Sequence, residues 1–163
     1  MNLTFTYPLF NRIVYKTGII VITALGLFFV IPIALSYKGE FMNLYLTILI
    51  SVGLLIANIS FYKIYKHMPF KIVAEDDKII CNNYFFQKKE FEISYDEIEK
   101  IDGGVFTGRL YGLVKVYKKD EVLAFNYFYK LNNVKDFETI ILSKMRKEIY
   151  EKVIGELSDT KSK

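Results

Sequence analysis

Histidine and cysteine are almost missing from this chain, with one of each, His67 and Cys81, among 163 residues. A single thiol cannot close an internal disulfide, and one imidazole with one thiol cannot build a His/Cys metal cluster within one chain. A lone cysteine also fits a reducing compartment. Ser-His-Asp catalysis would have to use His67, which stands among Lys63, Lys66 and Met68, and no G-x-S-x-G turn accompanies it. Net charge is scarce too. Arg12, Lys16, Lys38 and Glu40 account for half of the formal +4, so no clustered basic excess is left for a nucleic-acid partner.

Charge is missing altogether from two long stretches. Thr17 to Tyr37 (TGIIVITALGLFFVIPIALSY) and Phe41 to Tyr62 (FMNLYLTILISVGLLIANISFY) hold 21 and 22 uncharged residues, with only Lys38, Gly39 and Glu40 between them. At ~1.5 Å rise per residue, each spans roughly 30 Å, the thickness of a bilayer's hydrocarbon core. Neither has the polar face of a surface helix. The expectation is a transmembrane helical hairpin, with helices at about 17–37 and 41–67 and Pro69 ending the second, inside a membrane anchor of residues 1–68. Ala34-Leu35-Ser36 resembles a signal cleavage site, but the apolar stretch is long, starts late and is followed at once by another span.

Short-loop Lys and Arg set the expected orientation. Arg12 and Lys16 precede the first span, Lys63, Lys66 and Lys71 follow the second, and the hairpin tip offers only Lys38. The positive-inside rule then puts both termini in the cytoplasm, with those five residues at the membrane surface. Lys, Ile, Tyr, Phe and Asn are abundant, which points to an AT-rich bacterial genome and so to an inner membrane. Phe5, Tyr7, Phe10 and Tyr15 read either as an interfacial aromatic belt or as an apolar leader packed on the following domain. Gly53 with Ala57, and Gly18 with Gly26, let helix backbones approach, for packing of the hairpin on itself or for a dimer seam. Asn58 is expected to bond a neighbouring helix.

From Phe70 the apolar period becomes two. Seven short segments are expected as strands: 70–74, 78–82, 84–87, 91–95, a fifth through Ile98 and Ile101, then 113–118 and 121–129. Glu75-Asp76-Asp77, Asn82-Asn83, Lys88-Lys89 and Lys119-Asp120 punctuate them as turns, and Gly108 to Gly112 is a flexible connection. A helix follows, capped by Asn132 or Asn133, with one apolar stripe through Val134, Phe137, Ile141, Met145, Ile149 and Val153. The cytoplasmic domain is expected over 69–157, and a disordered tail over 158–163.

Seven antiparallel strands and a closing helix are the element order of a pleckstrin-homology-like domain. The stretch FKIVAEDDKIICNNYFFQKKEFEISYDEIEKIDGG resembles bacterial PH-like families, with an I-x-Y-x-x-I step at Ile93, Tyr95 and Ile98. Two spans before such a domain resemble small bacterial membrane proteins with a cytoplasmic PH-like domain. The resemblance implies an α+β membrane protein, in which a transmembrane hairpin precedes a seven-stranded antiparallel β-barrel with a C-terminal capping helix. Phosphoinositide-binding PH domains place Lys and Arg around the first inter-strand loop. Glu75-Asp76-Asp77, taken as that loop, has the wrong sign for an inositol phosphate.

No catalytic residue, cofactor or metal is expected. The acids Asp96, Glu97, Glu99 and Asp102 read as a solvated strand edge, and Gly103 to Arg109 lacks the Lys-Ser/Thr of a phosphate loop. Cys81 alternates with Ile79 and is expected as a small core residue. Arg109 and Tyr111 are the expected partner-contacting residues. The function expected is a membrane-tethered, non-enzymatic PH-like interaction module, partnered by the bilayer and by a membrane or cytoplasmic protein and open to homo-oligomerisation. The alternative is an immunity or accessory protein that binds a toxin or transporter through its spans.

Overall fold

A computed structural model describes residues 2–39, 41–85, 90–107 and 112–161. The chain divides into two units: Met1–Leu9 with Tyr65–Lys163, and Phe10–Ile64.

The helical unit consists of α1 (Leu9–Leu35) and α2 (Phe41–Tyr65). Both are long and apolar enough to cross a membrane, and none of either hydrophobic window is buried. Helix α1 begins eight residues before the uncharged stretch, with Arg12 and Lys16 falling within its first two turns. Pro32 is accommodated within it, since apolar helices tolerate proline where other groups take up the freed carbonyl. A polar contact joins the two helices: Asn58 Nδ2 donates to Thr23 Oγ1 at 3.1 Å, and also to its own helix's Leu54 carbonyl at 2.8 Å. Gly26 lies where any Cβ would meet the Leu54 side chain, whereas Gly18 and Gly53 face open space. Of the small residues noted in the sequence, Gly26 is thus one that seats the hairpin on itself.

The described residues of the other unit form seven strands and two helices. One antiparallel sheet has the order β1-β2-β3-β4: β1 (Leu3–Thr6), β2 (Pro69–Ala74), β3 (Lys78–Tyr84) and β4 (Phe91–Ser94). A second has the order β5-β6-β7: β5 (Ile98–Asp102), β6 (Leu113–Lys118) and β7 (Val122–Phe128). Helices α3 (Val134–Lys144) and α4 (Lys147–Lys161) follow.

Strand β1 was not expected. It precedes the hairpin, yet pairs antiparallel with β2 in the register Leu3 with Ala74 through Thr6 with Lys71. Both helices are therefore an insertion between two neighbouring strands. Phe5 and Tyr7 are buried as core residues, and the aromatic-belt reading fails for both. Phe5 packs against Phe137 of α3 in a tilted pair at 5.0 Å, and Phe137 also meets Phe125 and Tyr127 of β7, at 6.5 and 5.2 Å. One aromatic of α3 thus ties the two sheets together.

The expected closed barrel is corrected to two sheets, of four and three strands. The physical reason lies in where the donors of β7 go. The Phe128 N–H donates to the Tyr7 hydroxyl at 2.8 Å, and the Asn126 N–H to the His67 carbonyl at 2.9 Å. With those donors used, no ladder forms between β7 and β1. At the other seam, a single 3-10 turn, Tyr95–Glu97, carries the chain from β4 to β5. The expected strand 84–87 is not a separate element: β3 runs on to Tyr84, and residues 86–89 lie outside the described residues. The single expected helix breaks at Met145, which is extended (ψ 164°) with its side chain buried. The next side chain, Arg146, reaches the Ile98 carbonyl from Nη2 at 3.5 Å.

Candidate functional site

The motif residues quoted from the sequence turn out to be core. Ile93, Tyr95 and Ile98 are all buried. The Tyr95 hydroxyl donates to the Glu75 carbonyl at 3.2 Å, and burial pushes its pKa up to about 12. The acidic loop Glu75-Asp76-Asp77 joins β2 to β3, so it is the second strand connection; the first, between β1 and β2, is the helical hairpin itself. Nor is the loop bare. Lys144 Nζ donates to the Glu75 and Asp76 carbonyls at 2.9 and 3.0 Å, and its ammonium lies 5.3 Å from the centre of the Tyr95 ring. Gly103, at φ +90°, passes so close to the Leu113 carbonyl that a Cβ would collide with it, which makes the Gly-Gly step a packing device.

The residues with chemistry gather at one end of the two sheets. A cleft of about 270 Å³ is lined by Lys66 and His67, by Tyr84, Glu90 and Phe91, and by Lys118 with Val122, Leu123 and Ala124. Three segments build it. Lys66 and His67 form the link between α2 and β2, and the Asn126 N–H holds that link by the His67 carbonyl. Tyr84 ends β3, opposite Pro69, while Phe91 opens β4 beside Cys81. Lys118 ends β6 and pairs with Val122 across the tight turn into β7.

The lining combines basic and apolar side chains. Lys118 reaches across from one sheet to the other, with Nζ 5.9 Å from the centre of the Phe91 ring, a distance at which an ammonium gains from the ring's quadrupole. Partial burial lowers the pKa of His67, and the neighbouring Lys66 ammonium lowers it further. His67 is therefore neutral at pH 7, which leaves Lys66 and Lys118 as the cations and Glu90 as the carboxylate among the described residues of the lining. The Tyr84 hydroxyl lies against the buried Cys81 thiol, and burial raises both groups above their ordinary values. Neither is a nucleophile at neutral pH.

The five expected membrane-surface residues are divided. Arg12, Lys16 and Lys63 belong to the helical unit, and Lys66 and Lys71 to the sheet unit. Of the five, only Lys66 lines the cleft; Lys71 is exposed on β2. Arg109 and Tyr111 lie outside the described residues. Lys118 was missed, because it reads simply as the last residue of a strand before the Lys119-Asp120 turn. Among the described residues, no group of three or more His, Cys, Asp or Glu side chains comes together to hold a metal. A second hollow, between α3 and α4, is lined by Thr139, Leu142, Ser143, Met145, Lys147 and Tyr150 and holds no acid, imidazole or thiol.

No family model, no curated protein and no solved structure matches this chain.

Proposed function

We propose that this chain is a membrane-tethered, non-enzymatic interaction module: a PH-like domain held at the cytoplasmic face of a bacterial inner membrane by its own hairpin. One observation carries the reading, the insertion of α1 and α2 between the paired strands β1 and β2. A chain that leaves a sheet through one span and re-enters the same sheet through the next needs both spans, or neither, in the membrane. The uncharged length of both helices favours both. Sheets of four and three strands with helices at the C-terminal end support the PH-like part. Arg12, Lys16 and Lys63 flank the spans and favour the cytoplasmic side. Tethering concentrates the sheet domain against membrane partners without any new contact.

The competing reading, an accessory or immunity protein that binds a toxin or transporter through its spans, draws on the outward-facing apolar side chains of the hairpin, such as Phe28 and Ile48. Site-specific photocrosslinking in intact cells separates the two. Crosslinkers at Glu92 and Lys115, on the sheets, are expected to trap a discrete protein partner. Discrete products from Phe28 or Ile48 alone would refute the sheet-module reading and favour the spans.

A further inference from the structure

We infer that the cleft lined by Lys66, His67 and Lys118 binds the phosphate of a singly charged, anionic glycerophospholipid. This rests on the tethered-module reading, which brings the cleft to a lipid surface, but it names a ligand that the reading does not.

Three observations lead to it. The first is place. Lys66 follows directly on Tyr65, the last residue of α2, and it belongs to the cleft wall. Wherever α2 leaves a bilayer, its next residue stands at headgroup depth. The second is charge. Among the described residues of the lining, with His67 neutral, Lys66 and Lys118 stand against one carboxylate, Glu90, a net charge of one positive. That balance suits one phosphodiester. A polyphosphorylated inositol headgroup would set several negative charges beside Glu90, at a Coulomb cost that two ammonium groups cannot offset. The third is shape. Phe91, Val122, Leu123 and Ala124 give the cleft an apolar wall, against which a glycerol backbone can lie. The Phe91 ring meanwhile restrains the Lys118 ammonium, so less rotamer freedom is lost when an anion arrives.

The test uses the full chain in a neutral detergent, with bound lipid counted by native mass spectrometry. Phosphatidylglycerol is set against phosphatidylcholine of the same acyl chains, and inorganic phosphate against both. Wild type is expected to retain phosphatidylglycerol in preference. Lys118→Gln, and separately Lys66→Gln, should each lower that preference about five- to tenfold, the effect of one ammonium near a headgroup. Lys119→Gln, one residue further on and outside the cleft lining, should leave it unchanged. Thermal melting of each variant checks that the fold survives.

Equal preference in Lys118→Gln and wild type would overturn the inference, as would equal losses in Lys118→Gln and Lys119→Gln, which mean diffuse surface charge. Lys118-dependent binding of inorganic phosphate without lipid preference would reassign the cleft to a soluble anion and overturn it too. None of these failures touches the tethered-module reading, which stands or falls on the crosslinking pattern.

Discussion

Glu138 is the residue whose chemistry and position conflict most. It lies on α3 with its side chain nearly out of solvent, and its Oε1 accepts from the Tyr127 hydroxyl at 3.5 Å. Burial raises its pKa from 4.5 to about 6, against smaller opposing effects of the Tyr127 hydrogen bond and Lys135. Folding therefore favours the protonated acid. Stability from this group is complete below the unfolded value near 4.5 and is lost as pH rises through about 6. The loss is about 1–2 kcal/mol, at ~1.4 kcal/mol per pKa unit. Glu138→Gln keeps the acceptor and removes the titration. It is expected to match wild type at pH 4 and to melt higher at pH 7, which chemical denaturation across a pH series would measure. If the two proteins lose stability in parallel between those pH values, Glu138 is not the group that titrates.

The same hydrogen bonds that shape single residues decide which elements can stand without the others. Strand β1 supplies Phe5 to the aromatic cluster, and just beyond it Tyr7 accepts the Phe128 N–H, while the Thr6 carbonyl accepts the Asn132 N–H at 3.0 Å. A chain starting at residue 69 loses all of these. Burying one large aromatic alone is worth about 1.5–3 kcal/mol, and an orphaned buried donor costs about 1–3 kcal/mol more, a large share of a small domain's stability. Residues 69–163 alone are therefore expected to melt without a cooperative transition. The excised form behaves differently. Thr6 lies opposite Lys71 at the open end of the β1–β2 ladder, so a short Gly/Ser turn can replace residues 9–65. That form should be soluble and should melt cooperatively by circular dichroism. A cooperative transition for residues 69–163 alone would mean that β1 is dispensable.

What was legible in the sequence follows from which signals are local. The hairpin is legible because a bilayer-length run without charge has few other uses, and β2, β6 and β7 are legible because apolar alternation needs no partner to be read. Strand β1 was illegible: four residues before a span look like a flank, and only pairing with a segment more than sixty residues away makes them a strand. The break at Met145 left no mark, since no proline or glycine stands there and the apolar stripe runs through it. The cleft was half legible. His67 and Lys66 drew notice as lone chemistry near a span, but Lys118 joins them only through a sheet-to-sheet approach that no spacing encodes.

At the scale of the whole molecule, the β1–β2 pairing makes a prediction about parity that is independent of any charge rule. Residues before α1 and after α2 meet in one sheet, so they must lie on the same side of whatever membrane the helices cross. Single cysteines make this measurable, because the native thiol stays silent: Cys81 is fully buried, and burial raises its pKa, so it reacts slowly while the protein is folded. Asn2→Cys, Lys38→Cys and Lys147→Cys report on the segment before α1, the hairpin tip and the C-terminal helix. An impermeant maleimide applied to intact cells is expected to label Lys38→Cys alone. Asn2→Cys and Lys147→Cys should react together, and only after the membrane is opened. Labelling of Asn2→Cys and Lys147→Cys from outside, with Lys38→Cys protected, would invert the orientation while keeping the hairpin. Labelling of one but not the other would mean an odd number of crossings, and no sheet that pairs β1 with β2 can coexist with that.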